Sequence, residues 1–117
     1  MKIEEARFIS THPKSGELFE NAKRVMPGGV PMSWMSKWPG AFPVVVDNAV
    51  GAHFTDVDQN SYVDFCLGDT GSMTGHSPAP TVSAIQIQVA RGITTMLPSA
   101  DAAIVSSELA FRFGLPL

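Results

Sequence analysis

The chain has 117 residues, a formal net charge of −3 and one cysteine, Cys66. That length allows at most one domain with a modest core, the scattered charges leave no basic patch for nucleic acid or a membrane surface, and a lone thiol makes no internal disulfide, which suits a reducing cytoplasm. The opening MKIEEARFIS carries two acids and an arginine where a secretory leader would be apolar, and no apolar run reaches the length of a membrane span, so a soluble, cytoplasmic protein is expected.

Met1 to Lys14 has mixed charge and no clean period, with Pro13 as a stop, and is expected to be a partly ordered arm. Ser15 is a candidate N-cap, Glu17 suits the positive end of a helix dipole, and Leu18, Ala22, Val25 and Met26 recur at helical spacing, which predicts a helix over 16–26. Pro27-Gly28-Gly29 must end it, either as a plain stop and turn or as the shaper of a pocket mouth. Pro31 to Pro43 is a loop carrying Met32, Trp34, Met35, Trp38 and Phe42, more apolar area than a surface loop leaves in water, so it should pack over the hairpin or line a binding site or partner surface.

Pro43 to Asp47 contains three successive valines and predicts a short strand buried on both faces. Residues 51–56 and 61–66 predict a hairpin, with Val63, Phe65 and Leu67 alternating against Tyr62, Asp64 and Cys66. Asp56, Asp58 and Asn60 supply the turn. Their D-x-D-x-N spacing opens a calcium loop, but Ser61 stands where that loop needs glycine and Leu67 where it needs a bidentate glutamate, so no metal site is expected.

Gly68 to Gly75, GDTGSMTG, is a glycine-rich loop without the lysine or the spacing of a nucleotide site. His76 is a general base by residue type or a structural residue ahead of the next helix. That helix, over 79–91, has Ser77 as its expected cap, Pro78 at its first position, and Val82, Ile85 and Val89 on one face, with Gly92 just past the end. A second, over 100–113, is capped by Ser99, carries Ile104, Val105, Leu109, Phe111 and Phe113, and is ended by Gly114 and Pro116.

The string GAHFTDVDQNSYVDF followed by GHSPAP, preceded by LFENAKRVMPGGV and followed by GITTMLPS, resembles the N-terminal part of the class III pyridoxal-phosphate-dependent aminotransferases, in the branch near glutamate semialdehyde aminomutase. The resemblance covers roughly residues 15–113. It implies an α+β fragment of a fold type I transferase: an N-terminal helix, a three-stranded antiparallel meander and two helices. Residues 1–14 would be the arm, 15–76 part of the small domain, and 77–117 helices leading into a large domain. The implied function is transfer of an amino group between a small-molecule amine or amino acid and a carbonyl acceptor, by a homodimer using pyridoxal 5'-phosphate in the complete enzyme. A free-standing interaction module or truncated product without activity is the other reading.

The same resemblance implies that the Schiff-base lysine, the acid that pairs with the pyridine nitrogen and the phosphate cup lie beyond these residues. Lys2, Lys14, Lys23 and Lys37 match none of them, and the chain alone should be inactive, with no catalytic or cofactor-binding residue of its own. The implied substrate-pocket candidates are Met32, Trp34, Met35, Asp69, Thr70 and Gly71. In the family an arginine in the loop after PGG binds a substrate carboxylate. Met32 or Met35 stands there instead, with Lys37 the nearby cation, and Asp69 stands where an aromatic is usual.

Overall fold

The computed structural model describes residues 1–114. It divides into two units, Met1–Ala79 and a second from Pro80 onward. In chain order the elements are α1 (Lys2–Thr11), α2 (Pro13–Ala22), β1 (Val46–Val50), β2 (His53–Asp56), β3 (Ser61–Val63), α3 (Ala79–Val89) and α4 (Ala100–Phe113).

The stretch expected as a partly ordered arm is helix α1. Glu4 and Glu5 occupy its first turn, where carboxylates complement the helix dipole. Phe8 and His12, one turn apart, stack with ring centroids 4.1 Å apart, and Phe8 also meets Phe42 at 5.2 Å. Those contacts order a helix whose own periodicity is weak. Pro13 both ends α1 and opens α2, because a residue without an N–H is cheap at the first helical position. Ser15 is therefore not the cap. It lies fully buried inside the first turn, and α2 stops at Ala22 rather than Met26.

The true cap of α2 comes from forty-odd residues away. The Asp58 carboxylate accepts the backbone N–H of Lys14 at 2.7 Å, that of Ser15 at 2.9 Å and the Ser15 hydroxyl at 2.8 Å. Two N–H groups that the helix N-terminus leaves unsatisfied, and the buried Ser15 hydroxyl beside them, are thus closed by the hairpin turn.

The sheet is the expected antiparallel meander, in the order β1-β2-β3. Strand β1 lies at 46–50 instead of 43–47. Gly51, at φ 58°, opens a tight turn that returns the chain so that Val50 faces His53, a conformation glycine adopts freely. Pairing therefore starts at the turn, while Val44 and Val45 run ahead of the ladder, half-buried.

Strand β3 ends at Val63, and its faces are inverted relative to the apolar alternation. Val63 is 52% and Phe65 93% exposed, whereas Tyr62 and Asp64 are half-buried. Tyr62 turns inward because its ring stacks on Phe54 at 4.7 Å and its hydroxyl reaches Asp56. Asp64 ends the strand because its carboxylate accepts the N–H groups of Cys66 and Leu67, a turn that competes with the ladder.

Buried groups of the first unit are chiefly polar. His12, Ser15 and Asp56 are buried, and among the described residues Val30 is the one hydrophobic residue buried to the same degree. Helices α3 and α4 form close to their expected limits. Gly114, at φ 62°, closes α4 through a bond from its N–H to the Ala110 carbonyl, as left-handed caps do; Pro116 lies outside the described residues. Ser77 spends its hydroxyl on the Ala49 carbonyl rather than on a cap, and Ser99 stands at the cap position of α4 without a side-chain bond. The apolar stripes Val82, Ile85, Val89 and Val105, Leu109, Phe113 are exposed. No helix among the described residues is long and apolar enough to cross a membrane.

Asp58→Ala removes three bonds at the head of α2 and should cost about 1–2 kcal/mol, read as a lower urea midpoint. The carboxyls of Asp56 and Asp58 both lie below their ordinary value of 3.8: burial pushes each up, and hydrogen bonds to side chains and amides more than offset it. Groups depressed on folding contribute stability that is complete above about pH 4 and is lost as pH falls through their folded values. The wild-type midpoint should therefore drop below pH 4 more steeply than that of Asp58→Ala.

Candidate active-site wall

Two parts of the first unit carry the residues singled out from the sequence. The first is an apolar groove of about 550 Å³. Leu18, Phe19, Ala22 and Met26 form one wall, because those positions share a face of α2 and the turn beyond it. Trp34, Met35 and Trp38 form the other, carried by a short 3-10 turn over Ser33–Lys37, and Val44 to Val46 close the floor. The valines that run ahead of β1 thus find their burial in the groove, not in a sheet core.

Pro27-Gly28-Gly29 both stops the helix and shapes this groove. Gly28 and Gly29 have φ of 69° and 71°, in the left-handed region that costs other residues about 1–2 kcal/mol. A Cβ on Gly29 would lie 2.8 Å from Phe19 Cε2 and from Lys23 Cγ, whereas one on Gly28 meets nothing nearer than 3.7 Å. Gly29 is what lets the chain pass under Phe19. Met32 precedes the 3-10 turn, 54% exposed, and is not among the residues that line the groove.

The second part is the loop after β3. Leu67, Gly68, Asp69 and Thr70 all have φ between 53° and 74°, four left-handed residues in succession, three of them with a Cβ. Backbone bonds close the loop: Asp69 N–H to Cys66 carbonyl at 3.1 Å, Gly71 N–H to Gly68 carbonyl at 3.2 Å, and Ser72 N–H to Leu67 carbonyl at 2.8 Å. Such strain persists only where surrounding structure holds it. The holder is His76, whose Nε2 lies 2.6 Å from Asp64 Oδ2 while its backbone exchanges two hydrogen bonds with Gly51. The Asp64 carboxyl is held below its usual value first by His76 and then by the Leu67 and Cys66 amides.

His76 therefore sits in a structural tie, with its ring committed to Asp64. Asp69, Thr70 and Gly71 are exposed at the tip of the loop and line no part of the apolar groove. The six pocket candidates thus fall in three places: Trp34 and Met35 in the groove, Met32 at its edge, and Asp69 to Gly71 on the strained loop.

No family model matches the chain. A curated glutamate-1-semialdehyde 2,1-aminomutase from Methanoculleus marisnigri is 39% identical over 79 residues, 68% of this chain and 19% of the relative. A solved glutamate-1-semialdehyde-aminomutase from Pseudomonas aeruginosa PAO1 superposes with a TM-score of 0.89 at 46% identity, covering 99% of this chain and 26% of that one. The chain belongs to the aminomutase and aminotransferase family. A second solved member, a beta-phenylalanine aminotransferase from Variovorax paradoxus, gives a TM-score of 0.79 at 27% identity, over 92% of this chain and 25% of that one.

The fold is thus that of the N-terminal segment of a fold type I pyridoxal-phosphate-dependent enzyme. The chain spans about a fifth of the length of the curated relatives it matches and about a quarter of the solved ones. The resemblance read from GAHFTDVDQNSYVDF and PGG holds along nearly the whole chain. What the sequence did not reveal is the polar network of His12, Ser15 and Tyr62, because a histidine before a proline and a serine inside a helix carry no pattern of their own. Gln59, at φ 70°, holds a left-handed turn position that glycine adopts at less cost.

Gly29→Ala and Gly28→Ala should separate backbone strain from contact. Both pay for a left-handed alanine, and only Gly29→Ala must also displace the Phe19 ring. Urea titration of the pair should show Gly29→Ala less stable by roughly a further 1–3 kcal/mol, as overpacking costs, and equal midpoints would show that the groove wall gives way freely.

Proposed function

We propose that this chain is the N-terminal segment of a pyridoxal-phosphate-dependent enzyme that moves an amino group between a small amino compound and a carbonyl acceptor. The near-complete superposition on the Pseudomonas aminomutase carries the reading. The same enzyme solved as a lysine-to-alanine variant is in complex with PMP, which supports pyridoxal phosphate as the cofactor of the complete protein. When bound, that cofactor supplies the electron sink for amino-group chemistry.

The residues of this segment do not fit a cofactor site by themselves. Lys23 Nζ is paired with Glu20 at 2.6 Å and lies over the Phe19 ring, no lysine lines the groove, and among the described residues no buried side-chain polar atom lacks a partner. The segment's share of the work is to build walls: Trp34 and Met35 from the groove side with Met32 beside them, and Asp69, Thr70 and Gly71 from the strained loop. The remaining parts of the reading are a cytoplasmic homodimer, in which 15–76 belongs to the small domain and 77–117 leads into the large one. The apolar stripes of α3 and α4, exposed here, are the kind of surface a larger fold covers.

Mixed with pyridoxal phosphate, the 117-residue chain should show only weak, nonspecific reaction of surface lysines. A saturable one-to-one adduct abolished by substituting a single one of Lys2, Lys14, Lys23 or Lys37 would overturn this assignment and return the chain to an independent role. In the complete enzyme, Asp69 adds an anion and Met32 or Met35 withholds a cation where a substrate's far end would lie. Asp69 is exposed in this segment; once the rest of the enzyme covers it, an unpaired carboxylate would seek a positive partner, so donors with a second amine or a neutral polar group should be favoured over dicarboxylic ones. Asp69→Asn should shift the relative kcat/KM of amine-bearing and acidic donors toward the acidic ones. Unchanged ratios with altered stability would make Asp69 a turn residue only.

A further inference from the structure

The polar interior around His12 has a proton arrangement that the amino-transfer reading does not use. His12 is 7% and Asp56 0% exposed. On one side of the imidazole, Nδ1 lies 2.7 Å from the Phe8 carbonyl and 2.9 Å from Thr11 Oγ1, which is itself within bonding distance of the Arg7 and Phe8 carbonyls. A carbonyl oxygen only accepts, so Nδ1 carries a proton in either charge state of the ring. On the other side, Nε2 lies 2.5 Å from the Tyr62 hydroxyl and 3.3 Å from Asp56 Oδ2. The Tyr62 hydroxyl lies 2.9 Å from the same carboxylate oxygen.

The phenol has one proton and two claimants. If Tyr62 donates to Asp56, Nε2 must carry a proton and donate to the phenol oxygen, and the ring is an imidazolium. If the ring is neutral, Nε2 is bare, and the phenol proton must turn to it and leave Asp56. We propose that His12, Tyr62 and Asp56 form a pH-dependent latch, in which protonation of His12 closes a charged relay between the α1–α2 junction and the hairpin, and its loss reverses the phenol proton and opens that relay. No bond other than hydrogen bonds changes: one proton leaves Nε2 to solvent, and the phenol O–H rotates from Oδ2 to Nε2.

The groups that face the ring come from four elements. Strand β2 contributes the Asp56 carboxylate and β3 the Tyr62 phenol. Helix α1 contributes the Phe8 ring and carbonyl and the Thr11 hydroxyl. Arg7, Glu4 and Glu5 border the same hollow of about 740 Å³ that His12 lines, and Asp58, in the turn after β2, is engaged on Ser15. Burial disfavours the Tyr62 phenolate most, and with the neighbouring carboxylates it pushes that hydroxyl up to about 12, so Tyr62 keeps its proton throughout the range in which imidazole titrates. Opening the relay also touches the junction itself, since Asn60 holds the Thr11 carbonyl at 3.1 Å and Asp56 Oδ2 at 2.9 Å.

Ring-nitrogen NMR of the 117-residue chain across about pH 5 to 8, with His12 assigned by its absence in His12→Gln, tests the latch directly. The expected result is protons on both nitrogens at the acid end and on Nδ1 alone at the basic end, with the Tyr62 ring signals moving in the same step. In parallel, the dependence of Tm on pH across that step should differ between wild type and His12→Gln, and the wild-type profile should persist in His76→Gln. A neutral His12 protonated on Nε2, a Tyr62 signal that ignores the titration, or a Tm profile identical in wild type and His12→Gln would each overturn the proposal. The ring measurement is made on the wild-type chain and does not depend on the folding of any variant.

Discussion

Two carboxylates in one turn hold the first unit together. Asp58 caps α2 through Ser15, forty-three residues earlier in the chain, and Asp56, with no exposed surface, gathers the amides of Asp58 and Asn60, the Asn60 side chain and the Tyr62 hydroxyl. A buried carboxylate is costly unless its lone pairs are filled, so this turn tolerates one arrangement and few others. That is why a three-stranded meander with little buried hydrocarbon has a defined position on α2. The groove inherits the precision, because one of its walls is α2 and its floor runs straight into β1.

The elements with local signals were the legible ones. Glycines at the ends of α3 and α4, an acid in the first turn of α4 and a glycine-opened hairpin are decided by neighbours in the chain, and they lie close to where the sequence puts them. Strand β3 misleads because its apolar residues alternate correctly but point outward. Tyr62 and Asp64 win the inner face through partners on β2, at His12 between α1 and α2, and at His76, which no period can announce. Helix α1 was missed for a related reason: its order comes from Phe8 against His12 and Phe42 rather than from an amphipathic stripe. Of the pocket candidates, Trp34 and Met35 line the apolar groove. The setting of Asp69 rests on four left-handed residues that glycine spacing hints at but does not dictate.

The balance of buried and exposed surface separates the two units. Polar bonds close most of the first, whereas hydrocarbon on α3 and α4 stays in contact with water. Hydrogen bonds of this sort confer uniqueness more than net stability, and the bulk of folding free energy normally comes from apolar burial. A segment about a quarter the length of its solved relatives, with its specific geometry complete and its apolar faces open, has the energetics of a part shaped ahead of its assembly.

The reach of the clasp has a consequence for the order of events on the ribosome. Every contact that joins α1 and α2 to the hairpin is made within Met1–Ala79, so that unit can close as soon as those residues have left the exit tunnel. The greasy faces of α3 and α4 emerge next, at about 5–20 residues per second. Until something covers them they are the natural binding surface for a holding chaperone, and nascent-chain survival at that point depends on how fast a cover arrives, not on the strength of the clasp.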